Sequence, residues 1–277
     1  MRRLSLLGVL LLLLSACAGE EDPGPQPDDP PTAPSLALDT TTPSADPAAP
    51  VAGDHLLAVD LPDDYQLRYL LHAPPSVERG RPMPLVLVFH GSGGSPDDMV
   101  RLTRLDPLAD DQGFLVVYPD NLADATAEIP VLLDHLAGLW PIDERRIYAA
   151  GFSLGASTTY LLAETLSDRI AAFAPVSGVD QDITLRGPAP LIAVEGREDE
   201  FESIFDQVNR QWARAAGCGP ASVTEVTFSS RPTRRSVAQC REGSEHVVYR
   251  VEGMGHTWPR GASKVIWRFF TAHALPR

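Results

Sequence analysis

Basic residues are scarce in this 277-residue chain: 23 Lys and Arg stand against 37 Asp and Glu, a formal charge of −14 at pH 7. Binding a phosphate backbone takes a clustered basic surface, so nucleic acid is excluded as a partner. The one basic cluster, Arg231, Arg234 and Arg235, reads as a solvated loop. Cysteine is scarcer still, with three residues and no C-x-x-C pair, and none of the seven histidines stands in an H-E-x-x-H. Spacing therefore supports no zinc or iron–sulfur framework, and neither a metal nor a cofactor is expected. Also missing is any apolar run of the ~20 residues that a bilayer-spanning helix needs. What is present is ordinary for a globular chain, 44% hydrophobic and 22% charged residues, which excludes disorder throughout.

The N-terminus has the grammar of export. Two arginines within Met1–Arg3 precede an apolar run of 11 residues, Leu4–Leu14, too short to span a membrane and suited to a secretory signal. It runs into Leu14-Ser-Ala-Cys17, which resembles a bacterial lipobox, in which the cysteine thiol takes a diacylglycerol and becomes the first residue of the mature protein. The expectation is a signal peptide at 1–16, a lipidated Cys17 and a membrane anchor at the cell envelope. Without lipidation the same segment would be an ordinary cleaved signal and the protein would be secreted. Between Ala18 and Asp54 lie nine prolines and eight acids in 37 residues, without Lys, Arg or apolar periodicity, so 17–54 reads as a disordered tether. A flexible chain of that length reaches about 30–35 Å. The remaining 55–277 carry 21 bases and 29 acids, a milder −8.

Residues 55–277 alternate between strand and helix patterns without an internal repeat. Pro84–His90 and Phe114–Tyr118 are continuous apolar runs bounded by Pro and Gly, as expected of strands buried on both faces. Arg146–Ala150, Ala171–Pro175, Pro190–Val194 and His246–Val251 continue the series, and Gln66–His72 is expected as an antiparallel edge strand. Ile129, Leu132, Leu133, Leu136 and Trp140 share one helical stripe, and Ala156, Tyr160, Leu161 and Glu164 trace a helix that starts just after Ser153. The fold class is α/β, a doubly wound, mostly parallel sheet in a single domain.

In such sheets the chemistry lies beyond the carboxyl ends of the strands. Gly151-Phe-Ser-Leu-Gly155 follows the strand Arg146–Ala150 and opens a helix, the context that a G-x-S-x-G nucleophile elbow requires. Ser153 is thus the candidate nucleophile. His90-Gly-Ser-Gly-Gly94 follows the strand before it, and its backbone at Ser92, with that of Leu154, is the candidate oxyanion hole. His90 itself reads as a histidine bonded to backbone. A serine hydroxyl needs an imidazole to take its proton, and the imidazole needs a carboxylate to orient it. His256, in Gly253-Met-Gly-His-Thr-Trp-Pro259, supplies the first, and the acidic loop after Val194 offers Glu198, Asp199 and Glu200 for the second. The order Ser, acid, His along the chain is that of α/β-hydrolases.

Taken together, Pro84-Leu-Val-Leu-Val-Phe-His-Gly-Ser-Gly-Gly-Ser95, Gly113-Phe-Leu-Val-Val-Tyr-Pro-Asp120, Gly151-Phe-Ser-Leu-Gly155 and Gly255-His-Thr-Trp-Pro259 resemble the polyhydroxybutyrate-depolymerase-like esterases, related to the feruloyl and acetylxylan esterases of carbohydrate esterase family 1. The resemblance runs from about Tyr65 to the C-terminus. It implies an α/β-hydrolase fold, an ester substrate, and an acyl-enzyme mechanism with Ser153 as nucleophile and His256 as base. The family's acid lies in an H-G-T-x-D loop, which places it at Asp199, although Glu195 and Arg197 stand where the family has His and Thr. A Trp-containing loop and a D-D-V-G-F segment common in the family are missing between Asp120 and Arg146, so the resemblance does not specify the ester. With Cys17 taken by lipid, Cys218 and Cys240, separated by 22 residues, are expected to form a disulfide, as cysteines of the family often do. The alternative function is a non-catalytic cell-surface binding module that keeps the hydrolase fold.

Overall fold

The computed structural model describes residues 46, 49–62, 65–180 and 183–276. The signal peptide, Cys17 and most of the tether lie outside the described residues.

In chain order the elements are β1 (Gly53–Asp60), β2 (Gln66–Ala73), β3 (Met83–Phe89), α1 (Pro96–Thr103), α2 (Leu105–Gln112), β4 (Leu115–Pro119), α3 (Ala125–Leu139), β5 (Ile142–Phe152), α4 (Leu154–Thr165), β6 (Ala172–Val176), β7 (Leu191–Gly196), α5 (Glu202–Ala215), β8 (Ser222–Phe228), β9 (Arg231–Gln239), β10 (Glu245–Val251) and α6 (Ala262–Thr271). The strands form one ten-stranded sheet in the order β1-β2-β4-β3-β5-β6-β7-β10-β9-β8. Its centre, β4 through β10, is parallel, and antiparallel pairs flank it at both margins.

The apolar runs explain the centre. Every residue of β3, β4, β6 and β7 is buried, because helices cover both faces of the sheet. On one face Leu85, Leu87, Phe89, Leu115 and Val117 meet Ile129, Leu132 and Leu136 of α3, Tyr160 of α4 and Trp212 of α5. On the other, Phe114 stacks on Trp267 of α6 and Tyr148 on Phe270. Helix starts carry their own signals: Ser95 and Asp124 accept from backbone N–H groups of α1 and α3.

Three expectations change. Gln66–His72 is antiparallel as expected but is not an edge, since β2 pairs with β4 on one side and β1 on the other. The edge is β1, which starts at Gly53, so the last two residues of the segment read as tether lie in a strand. Arg231, Arg234 and Arg235 are not in a loop. They lie on β9, which adds to β10 and forms a hairpin with β8 through Ser229 and Ser230, both at left-handed φ of 52° and 59°, the geometry of a two-residue hairpin turn. Cys218 and Cys240 are bridged, joining the chain after α5 to the end of β9. The described residues fall in one unit, and among them no helix is long and apolar enough to cross a membrane.

Candidate functional site

From β3 the chain crosses to β4 on one side, and later returns as β5 on the other. The carboxyl ends of β3 and β5 therefore border the crevice where strand order reverses. Ser153 lies at the end of β5 with φ 56° and ψ −118°, a conformation few non-glycine residues adopt, and its N–H donates to the Val176 carbonyl at 3.1 Å. Two glycines make this turn possible. A Cβ at Gly155 would collide with the Phe89 and His90 carbonyls, and one at Gly151 with the Gly155 carbonyl, so helix α4 can approach the ends of β3 and β5 only without side chains there.

The strands β7 and β10, parallel neighbours, carry the other two groups. His256 Nε2 lies 2.9 Å from Ser153 Oγ, and its Nδ1 is 3.1 Å from each carboxylate oxygen of Asp199. Of the three competing acids it is Asp199 that is buried and meets the imidazole, while Glu198 and Glu200 are exposed. Backbone bonds hold the two loops together: Arg197 N–H donates to the Val251 carbonyl and Glu198 N–H to that of Met254, at 3.0 and 2.9 Å. Asp199 is braced in turn by the Phe201 N–H at 3.0 Å. The arrangement can pass a proton from a hydroxyl to an imidazole whose far nitrogen faces a carboxylate.

The loop His90–Gly94 lies against this serine. A Cβ built on Gly91 would sit 3.2 Å from that of Ser153, and Gly94 N–H closes a turn onto the Gly91 carbonyl. His90 bonds through Nδ1 to the Gly91 carbonyl at 2.8 Å, the backbone role expected of it. Leu154 presents a side chain that is 57% exposed, directly beside Ser153.

Several contributors were not read from the sequence. The rings of Phe152 and Phe201 flank His256, with centroids 4.9 and 5.4 Å from its own; their positions next to Ser153 and two residues after Asp199 were the available signal. Ser177, at φ 50° after β6, donates to the Thr257 carbonyl at 3.4 Å and so touches the His256 loop. No local signal marks it. Glu195, a departure from the family pattern, is 2% exposed and ion-paired with Arg250, its register partner across β7 and β10. Asn209 Nδ2 donates to both its oxygens, at 2.8 and 3.1 Å, while Asn209 Oδ1 faces His246 Nε2 at 3.2 Å. Burial pushes the Glu195 carboxyl up to about 7, with Arg250 and Asn209 pulling against it. Arg197, the other departure, pairs with Glu202 at 2.6 Å.

Among the described residues one group of acids and histidine is close enough to surround a cation: Asp54, His72 and Asp106. Its atoms are engaged with one another and their neighbours. His72 faces Asp54 at 2.6 Å and Asp110 at 3.0 Å, and Asp106 accepts from the Tyr118 hydroxyl at 2.6 Å.

Comparison with known proteins agrees with this architecture. Residues 67–128 match the Esterase PHB depolymerase family model. The chain is 29% identical to NocK of Nocardia uniformis subsp. tsuyamanensis, named as an esterase, over 94% of this chain and 90% of that protein. It is 27% identical to the bifunctional acetylxylan esterase/xylanase XynS20E of Neocallimastix patriciarum, over 67% of this chain but 30% of that longer protein. In structure it superposes on the acetyl xylan esterase from Aspergillus awamori with a TM-score of 0.61, over 77% of this chain and 98% of that one, at 17% identity. The likenesses support an esterase. The chain is an α/β-hydrolase-fold protein similar to the polyhydroxybutyrate-depolymerase, acetylxylan and feruloyl esterases, as its motifs implied.

Proposed function

We propose that the protein is an exported serine esterase that cleaves carboxylic esters through an acyl-enzyme, held at the cell envelope by a lipid on Cys17. The observation that carries the reading is the hydrogen-bonded line from Ser153 through His256 to Asp199 at 2.9 and 3.1 Å. Ser153 Oγ attacks the ester carbonyl while His256 Nε2 takes its proton, and Asp199 accepts from Nδ1–H, fixing the tautomer and stabilising the imidazolium. The amides of Ser92 and Leu154 hold the oxyanion. His256 then protonates the departing alkoxide, and a water activated by the same imidazole releases the acid and restores the serine. Ester cleavage suits this site because an alkoxide leaves with less help than an amine. The non-catalytic alternative draws on the altered residues Glu195 and Arg197 and on the loop missing between Asp120 and Arg146. Glu195 and Arg197 have ion-pair partners of their own, and Ser153 and His256 within hydrogen-bond distance favour the catalytic reading.

Acetylated and feruloylated sugars enter the test because relatives carry those names, and polyhydroxybutyrate enters through the family model. The purified protein is assayed on these and on short and long acyl esters, and treated with a phosphonate probe. Turnover of at least one ester and a single adduct on the peptide containing Ser153 are expected; failure of all esters together with no adduct overturns the reading. The anchor is tested by fractionation. Cys17→Ser should leave the protein unprocessed or release it from membranes, and processed Cys17→Ser protein that still pellets would refute lipidation.

A further inference from the structure

Flanking the His256 loop, α1, α2 and the start of α6 enclose a cavity of about 530 Å³. Neither Ser153, His256 nor Asp199 lines it, yet Trp258 and Pro259 belong to the loop that carries His256. Its walls are of two kinds. Leu102, Pro107, Leu108 and Pro259 present apolar surface, and Leu102 is 37% exposed. Arg104, Arg260 and Lys264 are exposed cations at the same cavity, against one acid, Asp111. In a chain with 37 acids and 23 bases this is a local inversion of charge. Such an inversion at a concave, low-dielectric surface concentrates anions.

The cavity is also firmly shaped. Trp258 Nε1 donates to Ser263 Oγ at 3.2 Å, and that hydroxyl donates to the Thr103 carbonyl at 2.5 Å, joining the His256 loop, α6 and α1 in one relay. Arg104 stands at the break between α1 and α2 with a left-handed φ of 51°, so the joint between the helices fixes where it is presented.

We propose that this cavity binds a carboxylate carried on an apolar body, with Arg104 and Lys264 gripping the carboxylate and Leu102, Pro107 and Leu108 covering the body. Apolar walls with a few convergent charges are the usual make-up of a small-molecule site. A bare inorganic anion would leave those walls uncovered. Ester cleavage releases acids of this class, so the cavity would collect one product of the proposed reaction, but the binding itself rests on the cavity alone.

Lys264 is the only lysine in the chain, which makes its amine a specific reporter. The full chain is reductively methylated with and without 4-phenylbutyrate, and Lys264 is followed by peptide mass spectrometry. The carboxylate should protect Lys264, and the isosteric 4-phenylbutanamide should not. By calorimetry, Arg104→Asn, a residue suited to left-handed φ, should weaken 4-phenylbutyrate by about tenfold or more, the worth of a charge-assisted hydrogen bond. The exposed Lys264→Gln should do the same. Equal protection by the amide, absence of protection, or unchanged affinity in both variants overturns the proposal. So does protection by phosphatidylglycerol vesicles alone, which would make the patch a membrane contact. Repeating the titration on Ser153→Ala separates the two readings: binding there survives even if no ester is ever hydrolysed.

Discussion

Ser153 carries both the chemistry proposed for the site and a backbone strain, since φ 56° with ψ −118° costs a non-glycine residue on the order of 1–3 kcal/mol. The two can be separated. Ser153→Ala should keep the strain, remove the hydroxyl and lower kcat by more than about a hundredfold with unchanged circular dichroism. Ser153→Gly should be equally inactive but about 1 kcal/mol more stable than Ser153→Ala in urea unfolding, because glycine accepts the turn freely. If the glycine variant is no more stable, the strain is absent. The acid is open to a similar comparison. Asp199→Asn should lower kcat by roughly a thousandfold or more through the wrong imidazole tautomer, whereas the exposed Glu198→Gln and Glu200→Gln should stay within about tenfold. A crippled Glu198→Gln would show that the acid has been misassigned.

At the scale of elements, β7, β10 and α5 form the frame beneath the acid and histidine loops, and Glu195 with Arg250 is its polar centre. Arg250 also meets Asp206 at 2.6 Å and lies over the Phe205 ring, so one side chain joins β10 to β7 and α5. Removing one partner of a buried pair leaves the other charged and unpaired, whereas removing both leaves no buried charge unpaired, since Asp206 is exposed. Arg250→Met should therefore cost about 3–5 kcal/mol at pH 8 by urea unfolding, and Glu195→Leu/Arg250→Met should recover most of it. The single variant should suffer less at pH 5, where Glu195 can take a proton instead of standing charged. Equal losses for single and double variants would mean that the pair contributes through packing alone.

Across the whole molecule, acid stability should depend on His246, whose imidazole is 5% exposed and pushed by burial down to about 4. The unfolded chain takes up a proton near pH 6.5, and the folded one does so only near pH 4. The folded state thus binds fewer protons between these values, and stability present above pH 6.5 is lost as pH falls toward 4, by about 3 kcal/mol at most. His246→Gln keeps a donor for Asn209 but cannot titrate, so its unfolding free energy should fall less steeply between pH 6.5 and 4. An unchanged slope would place the acid sensitivity elsewhere. The Cys218–Cys240 bridge acts at the same scale, removing about 3 kcal/mol of chain entropy from the unfolded state by the loop-closure relation for a separation of 22 residues.

What was legible in the sequence was what local chemistry dictates. Strands buried on both faces must be continuous apolar runs, so β3, β4, β6 and β7 could be read directly. A strand-to-helix turn tight enough to expose a hydroxyl needs glycines on either side, so Ser153 could be named from five residues. The strands that escaped, β1, β8 and β9, lie at the margins of the sheet, where β8 is almost wholly exposed and carries little apolar pattern. A marginal strand is made by the edge it pairs with, and that edge is distant in sequence. The acid shows the same division. Residue chemistry alone left three neighbouring carboxylates open and the family resemblance pointed to Asp199, which the fold buries beside His256, 57 residues away. Glu195 looked like a flaw in a motif because its partner, Arg250, comes into register only when β7 and β10 lie side by side. The sequence by itself determined which side chains could do the chemistry and which strands would be central. Only the tertiary structure decided how Asp199 meets the imidazole and what neutralises the charge beneath it, because both depend on distances between segments that only the packed sheet brings together.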